Sequence, residues 1–146
     1  MTTSAVETQR EENLSTIHRF FALLHEKDIA RWSTLWDDNG RIWIPYPVAG
    51  FPTTIEGKAQ IVAAFEHLFA GFVSFDLHIA DIYPTLDPDV IIVEWTGSAQ
   101  LRATGQMYQS NPITVFKFRG GRIVAYHDYF NPEKFQVVVD ALNALP

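Results

Sequence analysis

Asp128 is the residue in this sequence whose type and surroundings best suit chemistry. It lies in the apolar and aromatic run 123–130, which is rich in strand-forming residues. Alternate side chains of a strand share a face, so Tyr126, Asp128 and Phe130 are expected together on one wall. A carboxyl on an apolar wall either finds a hydrogen-bond partner or has its pKa raised, and a raised pKa suits general acid–base catalysis. The alternative interpretation is a carboxylate at the rim of the sheet, bonded to solvent or to a loop.

The neighbours of Asp128 divide between the two faces of the same strand. Tyr126 shares the face of Asp128, where it either donates a hydrogen bond into a pocket or packs in the core. His127 points to the opposite face, which is expected to be an outer surface or a dimer contact. The outer face also receives Val124 and Ile92, which makes it apolar for a sheet exposed to solvent. A homodimer through this face is therefore predicted.

The spacing of apolar residues along the rest of the chain predicts three helices in the N-terminal half, followed by long strands. Apolar residues at helical spacing predict helices over 7–26, 29–36 and 58–69, with a short helix over 133–142. Runs of β-branched and aromatic residues predict strands over 41–46, 54–56, 73–83 and 90–104, and a final hairpin around Gly120-Gly121.

This order of elements predicts an α+β fold with a curved, mostly antiparallel sheet wrapped on the N-terminal helices. Strands over 73–83 and 90–104 are longer than usual and must twist and bend, with Gly97 and Gly105 as the expected bulge or bend sites. A curved sheet of this kind encloses a cone-shaped cavity that can bind a ligand. The residues expected to line or fill it, besides Tyr126 and Asp128, are Trp43, Ile44, Tyr46, Phe65 and Trp95.

Composition limits the classes of function. The 146 residues are 47% hydrophobic and 14% aromatic, with mean hydropathy −0.01, as in a globular protein. The formal net charge of −6 argues against nucleic-acid binding, which needs a basic face. The absence of cysteine excludes disulfides and thiolate metal sites and favours a reducing cytoplasm. A polar N-terminus predicts no signal peptide, and the lack of a long uncharged apolar run predicts no membrane span.

The other polar side chains give little support for a metal or a cofactor. The histidines at positions 18, 25, 67 and 78 do not follow the spacings of common zinc motifs. His18 and His25 lie on one flank of the first helix and either frame a cavity mouth or face solvent. Arg31 either pairs with a ligand anion or, as exposed arginines commonly do, with a nearby carboxylate. No glycine-rich phosphate loop or nucleophile elbow occurs, so no metal and no cofactor are predicted.

Several short motifs in a fixed order resemble one known family. They are Leu35-Trp36-Asp37-Asp38, Glu56-Gly57-Lys58, Asp87-Pro88-Asp89, residues 93–97, residues 105–111 and residues 128–131. Together they resemble the nuclear transport factor 2-like superfamily, in the SnoaL-like branch that includes polyketide cyclases and ketosteroid isomerase. Within that branch the chain is most similar to the phenazine-biosynthesis A/B proteins. The resemblance implies a single SnoaL-like domain over residues 1–146, with about residues 1–8 disordered or frayed.

The resemblance also assigns roles to individual positions. The phenazine-type proteins place an acid on the final strand, and Asp128 occupies that position. Ala64 stands where they carry a histidine on the third helix, and Ile44 stands where ketosteroid isomerase carries its base. His67, one turn after Ala64, is expected to point away from the apolar stripe of that helix. Neither subfamily's full set of catalytic residues is present.

Three functions follow as hypotheses. The first is a cofactor-independent cyclase, isomerase or dehydratase in which Asp128 moves a proton on an apolar cyclic or aromatic metabolite. The second is a non-catalytic ligand-binding or dimerisation module that keeps the cone without the chemistry. The third is a domain that assembles with a different protein.

Overall fold

The computed structural model describes residues 3–145 and contains four helices and seven strands over that range. The helices are α1 (Thr3–His25), α2 (Ile29–Ser33), α3 (Lys58–Ala70) and α4 (Pro132–Asn143). The strands are β1 (Trp36–Trp43), β2 (Thr54–Glu56), β3 (Phe72–Pro84), β4 (Val90–Leu101), β5 (Met107–Ser110), β6 (Ile113–Arg119) and β7 (Arg122–Tyr129).

All described strands belong to one sheet with the order β2-β1-β7-β6-β4-β3, and β5 pairs with β4 beside that path. The β1–β7 pair is parallel, and every other described pair is antiparallel. Because helices lie at both ends of the chain and the strands between them pair mainly through hairpins, the fold is α+β. The predicted fold class is confirmed.

Strand β4 changes its pairing partner along its length. The first half of β4 pairs with β6 at residues 90–94, and the second half pairs with β5 at residues 97–100. The sequence does not indicate β5, and it indicates a β4 that continues to residue 104. It predicts a bulge or bend at Gly97, but the pairing there has no bulge. The register shifts of the β3–β4 pair fall in β3, between Phe72 and Ser74 and between Ile79 and Asp81. Gly105, with φ of +74°, lies in the turn after β4.

The first helix begins earlier than the sequence indicates. Residues 1–8 were expected to be disordered or frayed, but α1 is continuous from Thr3, and residues 1 and 2 lie outside the described range. The helix is held near its start by side chains that bond to the β3–β4 loop. Gln9 Nε2 donates to Asp89 Oδ1 at 2.6 Å, and Asn13 Nδ2 donates to the same oxygen at 3.0 Å. These bonds anchor the helix from Gln9 onward, and fraying of the residues before Gln9 stays a prediction.

The junction between α2 and β1 also differs from the predicted one. The helix ends at Ser33 rather than continuing to Trp36, because Trp36 already pairs with Ile123 of β7. The strand then becomes irregular, since its register with β7 shifts before Arg41. A Cβ atom on Gly40 would lie 2.7 Å from the Trp36 ring, so only glycine fits there. The strand ends at Trp43, three residues before the predicted end.

The core contains a dense aromatic cluster at the end of the sheet covered by α1 and α2. Phe20 is fully buried at its centre, with ring centroids 5.4 Å from Trp32, 5.1 Å from Phe116 and 5.5 Å from Tyr126. This packing fixes the inner faces of β6 and β7 against α1. A second buried cluster, between α4 and the far ends of β3 and β4, completes the core. Between the two clusters the inner face of the sheet is not filled.

Candidate functional site

A cavity of about 130 Å³ lies between the inner face of the sheet, α3 and α4. Its wall is mostly aliphatic and aromatic, and its polar side chains are few: Ser98, Tyr108, Ser110, Tyr126 and Asp128. Among the described residues that line the cavity, Asp128 is the only one with an acidic side chain, and none is Lys, Arg or His. A neutral ligand therefore suits this wall better than an anion, which would find no cation there.

Asp128 faces the cavity because of an extra residue in β7. The turn at Gly120 and Gly121 has positive φ at both positions, as in a type I′ hairpin, and pairs Arg119 with Arg122. Between the Phe118–Ile123 pair and the Lys117–Ala125 pair the register shifts, which leaves Val124 without a partner. This β-bulge lets Ile123 and Tyr126 both point inward and places Asp128 opposite Thr114.

Three side chains link into a hydrogen-bonded chain that ends at the Asp128 carboxyl. Trp95 Nε1 donates to Thr114 Oγ1 at 2.9 Å. Thr114 Oγ1 donates in turn to Asp128 Oδ1 at 3.0 Å. Thr114 is fully buried, and Trp95 and Asp128 both line the cavity. The carboxyl is therefore held in one orientation by groups on two neighbouring strands, β4 and β6.

The environment of Asp128 favours its neutral form. Burial raises the pKa of Asp128 from 3.8 to about 7, and the hydrogen bond from Thr114 opposes part of that rise. The residue is half-buried rather than fully buried because one side of the carboxyl faces the cavity. With a pKa of about 7, both the acid and its conjugate base are populated near neutral pH. This group can both give and accept a proton at the cavity wall.

Two tyrosines supply further polar atoms to the cavity. Burial, followed by the nearby charge of Asp128, raises the pKa of Tyr126 well above its usual value, and a hydrogen bond with Thr114 opposes part of that rise. Burial also raises the pKa of Tyr108, opposed by a hydrogen bond with Ser110 and supported by the charge of Asp128. Both phenols therefore remain protonated at neutral pH and are available as hydrogen-bond donors to a ligand.

The structure brings most of the predicted site residues to this cavity. Ile44, Ala64, Phe65 and Trp95 line it, together with Tyr126 and Asp128, which were predicted to share a face. Ile44 and Ala64, the two positions at which related subfamilies carry catalytic groups, contribute apolar atoms only. Both side chains lie on the wall, and neither can move a proton.

Two predicted lining residues lie elsewhere. Trp43 alternates with Ile42 and Ile44, which point inward, so its ring lies on the outer face, 5.1 Å from the His127 ring. Tyr46 follows the end of β1, is 53% exposed and packs its ring 5.8 Å from Tyr129. The expectation that Trp43 and Tyr46 line the cavity is corrected on these grounds.

The remaining polar candidates lie outside the cavity wall. His18 and His67 are exposed, His25 pairs with Asp76 at 3.5 Å, and Arg31 pairs with Asp28 at 3.8 Å. Within residues 3–145 no group of three or more histidine or carboxylate side chains is placed to hold a metal ion. Over the same range, no helix combines the length and apolar character that a membrane span requires.

The sequence does not indicate several of the side chains that line the cavity or bond to Asp128. Thr114, the partner of Asp128, is one of them, since counting back from the turn would place it opposite His127. Tyr108 and Ser110 lie on β5, which was not predicted as a strand. Phe135 of α4 closes part of the wall and contacts Phe130 with ring centroids 4.9 Å apart. The only sequence signal for these residues is their aromatic or hydroxyl character.

Comparison with known proteins identifies relatives of the chain. The family model described as the SnoaL-like domain matches residues 17–126. The uncharacterized protein YesE of Bacillus subtilis (strain 168) is 34% identical over 122 residues, covering 84% of this chain and 83% of that protein. An uncharacterized PhzA/B-like protein of Pseudomonas aeruginosa is 30% identical over 110 residues, covering 75% of this chain and 77% of that protein.

Solved structures share the fold closely. A Bacillus subtilis protein superposes with a TM-score of 0.79 at 32% identity, covering 94% of this chain and 96% of that one. A phenazine biosynthesis-related protein from Pseudomonas aeruginosa has a TM-score of 0.80 at 18% identity, with 95% and 92% covered. A Mycobacterium tuberculosis protein in complex with estradiol-17beta-hemisuccinate has a TM-score of 0.76 at 17% identity, with 84% and 96% covered. At such low identity the last two show the fold alone.

Proposed function

The chain belongs to the SnoaL-like domain family, and on this premise we propose that it is a cofactor-independent enzyme of the cyclase, isomerase or dehydratase kind. Its substrate is an apolar cyclic metabolite, and Asp128 is its general acid and base. The observation that carries this proposal is the position of Asp128. It is an acid with a pKa of about 7 in the wall of an otherwise apolar cavity.

The chemistry follows from the two protonation states of Asp128. The neutral acid donates its proton to a ligand oxygen, either a carbonyl that becomes an enol or a hydroxyl that leaves as water. The carboxylate that remains accepts a proton from a C–H bond next to the reacting centre. One proton leaves Asp128 and one returns, so an isomerisation or a dehydration is balanced without a metal or a redox cofactor. The apolar wall excludes water that would compete for the proton.

The size and charge of the cavity narrow the substrate class. A cavity of about 150 Å³ lined by Leu, Ile and Phe side chains is known to bind benzene, so about 130 Å³ accommodates one six-membered ring. Because no described lining residue is cationic, a neutral ring with one hydrogen-bond acceptor is the proposed ligand. The likeness to a PhzA/B-like protein supports a reaction of the phenazine-biosynthesis type. Ala64, which stands at the histidine position of that type, argues for a different substrate within it.

A second candidate is a ligand-binding protein of the same fold without catalysis. Ile44 and Ala64 favour it, because both line the cavity and neither can move a proton. The neighbour seen in complex with an estradiol derivative supports the same candidate, since it shows that a protein of this fold holds a cyclic ligand. On this alternative Asp128 orients a ligand rather than reacting with it.

A homodimer in a reducing cytoplasm completes the proposal. The outer face carries Trp43, 36% exposed, and Ile113, 43% exposed, beside His127. Such an apolar surface on a sheet is typical of a protein–protein contact. The absence of cysteine from all 146 residues is consistent with a reducing compartment.

The test is binding and turnover of paired ligands by the wild-type protein and Asp128→Asn. Neutral cyclic enones and dihydroaromatic compounds are compared with their carboxylated counterparts by calorimetry and by product analysis. We expect neutral ligands to bind at least about tenfold more tightly than the carboxylated ones, because an unpaired charge is costly in an apolar site. Turnover that disappears in Asp128→Asn supports the enzyme. Binding without turnover in either protein supports the second candidate, and no binding of any cyclic ligand contradicts both.

A further inference from the structure

We infer that Trp95 and Thr114 are positioning residues. They form a hydrogen-bond chain in which each member donates to the next, and the chain ends at Oδ1 of Asp128. The chain reserves the other carboxyl oxygen, Oδ2, as the atom that carries and exchanges the proton. The inference rests on the proposed function, because it names the atom through which Asp128 would act on a ligand. It adds two residues to the site for which neither the sequence nor the resemblance gave a role in proton transfer.

The direction of the chain follows from the chemistry of its members. The indole N–H of Trp95 can only donate, so Thr114 Oγ1 must accept at the 2.9 Å contact. A threonine hydroxyl has one proton, and it is directed to Asp128 Oδ1 at 3.0 Å. Oδ1 is therefore the acceptor of this bond when the carboxyl is ionised. In the neutral acid, a proton on Oδ2 keeps both bonds of the chain in place.

The fold holds each member of the chain in place. Thr114 is fully buried and lies directly opposite Asp128 in the β6–β7 register. The Trp95 ring packs 5.3 Å from the Phe21 ring on one side. On another side the indole ring lies over Gly97, where an added Cβ atom would be only 3.2 Å from the ring. Gly97 therefore leaves the space that the indole occupies, which explains a glycine in a regular part of β4.

The free oxygen has no competing partner. None of the hydrogen bonds found within residues 3–145 reaches Asp128 Oδ2, and the side chain lines the cavity. The nearby Tyr126 and Tyr108 hydroxyls can donate to a ligand oxygen next to this position. A ligand in the cavity would thus find one carboxylic acid of fixed orientation. Fixed orientation matters because proton transfer requires donor and acceptor within hydrogen-bond reach.

The chain also tunes the acid. A hydrogen bond donated to a carboxylate stabilises the charged form and lowers its pKa. The Thr114 bond accordingly counteracts the rise that burial causes in the pKa of Asp128. Trp95 strengthens this bond indirectly, because its N–H polarises the hydroxyl and prevents it from turning away. Without the chain, Asp128 would stay protonated to higher pH and would be a poorer base near neutrality.

The test is a direct titration of the Asp128 carboxyl by carbon-13 NMR, with Asp128→Asn to assign the signal. Thr114→Val keeps the shape of the side chain and removes the hydroxyl, so the Asp128 pKa should rise by about one unit. Thr114→Ser retains the hydroxyl and should restore a value close to that of the wild type. Trp95→Phe should raise the pKa by a smaller amount, since it removes only the second link.

These variants distinguish positioning from a merely structural role. If Trp95 and Thr114 only stabilise the sheet, Thr114→Val and Trp95→Phe lower the melting temperature and leave the Asp128 titration unchanged, which overturns the inference. Equal titrations for Thr114→Ser and Thr114→Val overturn it as well. Should Thr114→Val fail to fold, Trp95→Phe decides, because its ring is only half-buried and phenylalanine retains most of the packing.

The titration needs no substrate, so its failure is distinct from failure of the proposed function. If Asp128→Asn has no effect on turnover, the enzyme proposal fails whatever the NMR shows. If turnover depends on Asp128, the pH profile of kcat/KM in Thr114→Val should shift toward higher pH by the same amount as the pKa measured by NMR. A profile that stays in place while the NMR pKa moves would contradict the inference for catalysis.

Discussion

His127 and Asp128 are adjacent in β7, yet the strand turns them to opposite sides of the sheet, where their surroundings differ. Asp128 faces an apolar cavity, and burial raises its pKa to about 7. His127 lies against the Trp43 ring on the outer face, and burial, then the charges of Lys117 and Arg41, lower its pKa. In both places burial disfavours the charged form.

The consequence of burial is different for each residue. A neutral carboxylic acid is a proton donor, so burial suits Asp128 to the proposed proton transfer. A neutral imidazole next to tryptophan is mainly an aromatic surface, so burial suits His127 to packing against a partner. On the proposed function, one strand separates proton transfer from assembly by alternating its side chains across the sheet. The following predictions test that separation, beginning with the largest effect.

Asp128→Asn should abolish most turnover while the fold survives. Asparagine keeps the shape and can still accept the hydrogen bond from Thr114, but it cannot exchange a proton. On the proposed function, the loss in kcat should be about 10²- to 10⁴-fold, the usual contribution of a general acid or base. His127→Asn is the matched control on the opposite face, and its turnover should stay near that of the wild type. Comparable losses in both variants would contradict the separation of roles.

The pH dependence of folding stability should reveal the raised pKa of Asp128. Between pH 3.8 and about 7 the folded protein keeps the Asp128 proton while the unfolded chain releases it. The free energy of unfolding therefore falls as pH rises through this window, by up to about 4 kcal/mol, and is constant above it. Asp128→Asn should lack this contribution. Urea unfolding of both proteins at pH 4, 6 and 8 measures this contribution. If the free energy of unfolding changes with pH in the same way in both proteins, burial does not perturb the pKa of the carboxyl.

Trp43→Glu should weaken the proposed dimer without affecting the cavity. A charge introduced into an apolar contact should lower the association constant by about tenfold or more, equivalent to about 1.4 kcal/mol. Leu86→Glu is the matched control, because Leu86 is fully exposed on the β3–β4 loop. Analytical ultracentrifugation at micromolar concentration measures both variants. A wild-type protein that sediments as a monomer would remove the basis of this prediction.

The sequence predicted the face of Asp128 but could not predict its partner. Period-two alternation was enough to put Tyr126, Asp128 and Phe130 on one wall. The two-residue turn alone would pair Thr114 with His127, and the bulge at Val124 changes that pairing. No glycine or proline marks the bulge. It is stabilised by tertiary packing, because Ile123 and Tyr126 are both buried on the inner face.

The misplaced Trp43 has a similar physical origin. The sequence indicates a strand near residues 41–46 but not which of its two faces points inward. That phase is set by the irregularity after Trp36, which brings Ile42 and Ile44 to the inner face. Gly40 is required there by contact with the Trp36 ring, a contact that only the folded structure reveals. Local pattern thus predicts the elements, whereas packing between elements decides their phase and register.

The smallest expected effect, and the one that most sharpens the comparison, concerns the sign of the pH dependence at His127. Its folded pKa lies below its value of 6.5 in the unfolded chain, so the unfolded chain binds the extra proton first as pH falls. The free energy of unfolding should therefore decrease below about pH 6.5, opposite in direction to the contribution of Asp128 over the same range. His127→Gln removes this loss, and its stability relative to the wild type should improve only on the acidic side. Because His127 is partly exposed, solvent screening keeps the effect well below that of Asp128.

Urea unfolding at pH 5 and pH 8 resolves the two contributions, since Asp128→Asn gains most stability relative to the wild type at pH 8 and His127→Gln at pH 5. If both variants benefit at the same pH, the two faces of β7 do not differ in the way their pKa values indicate.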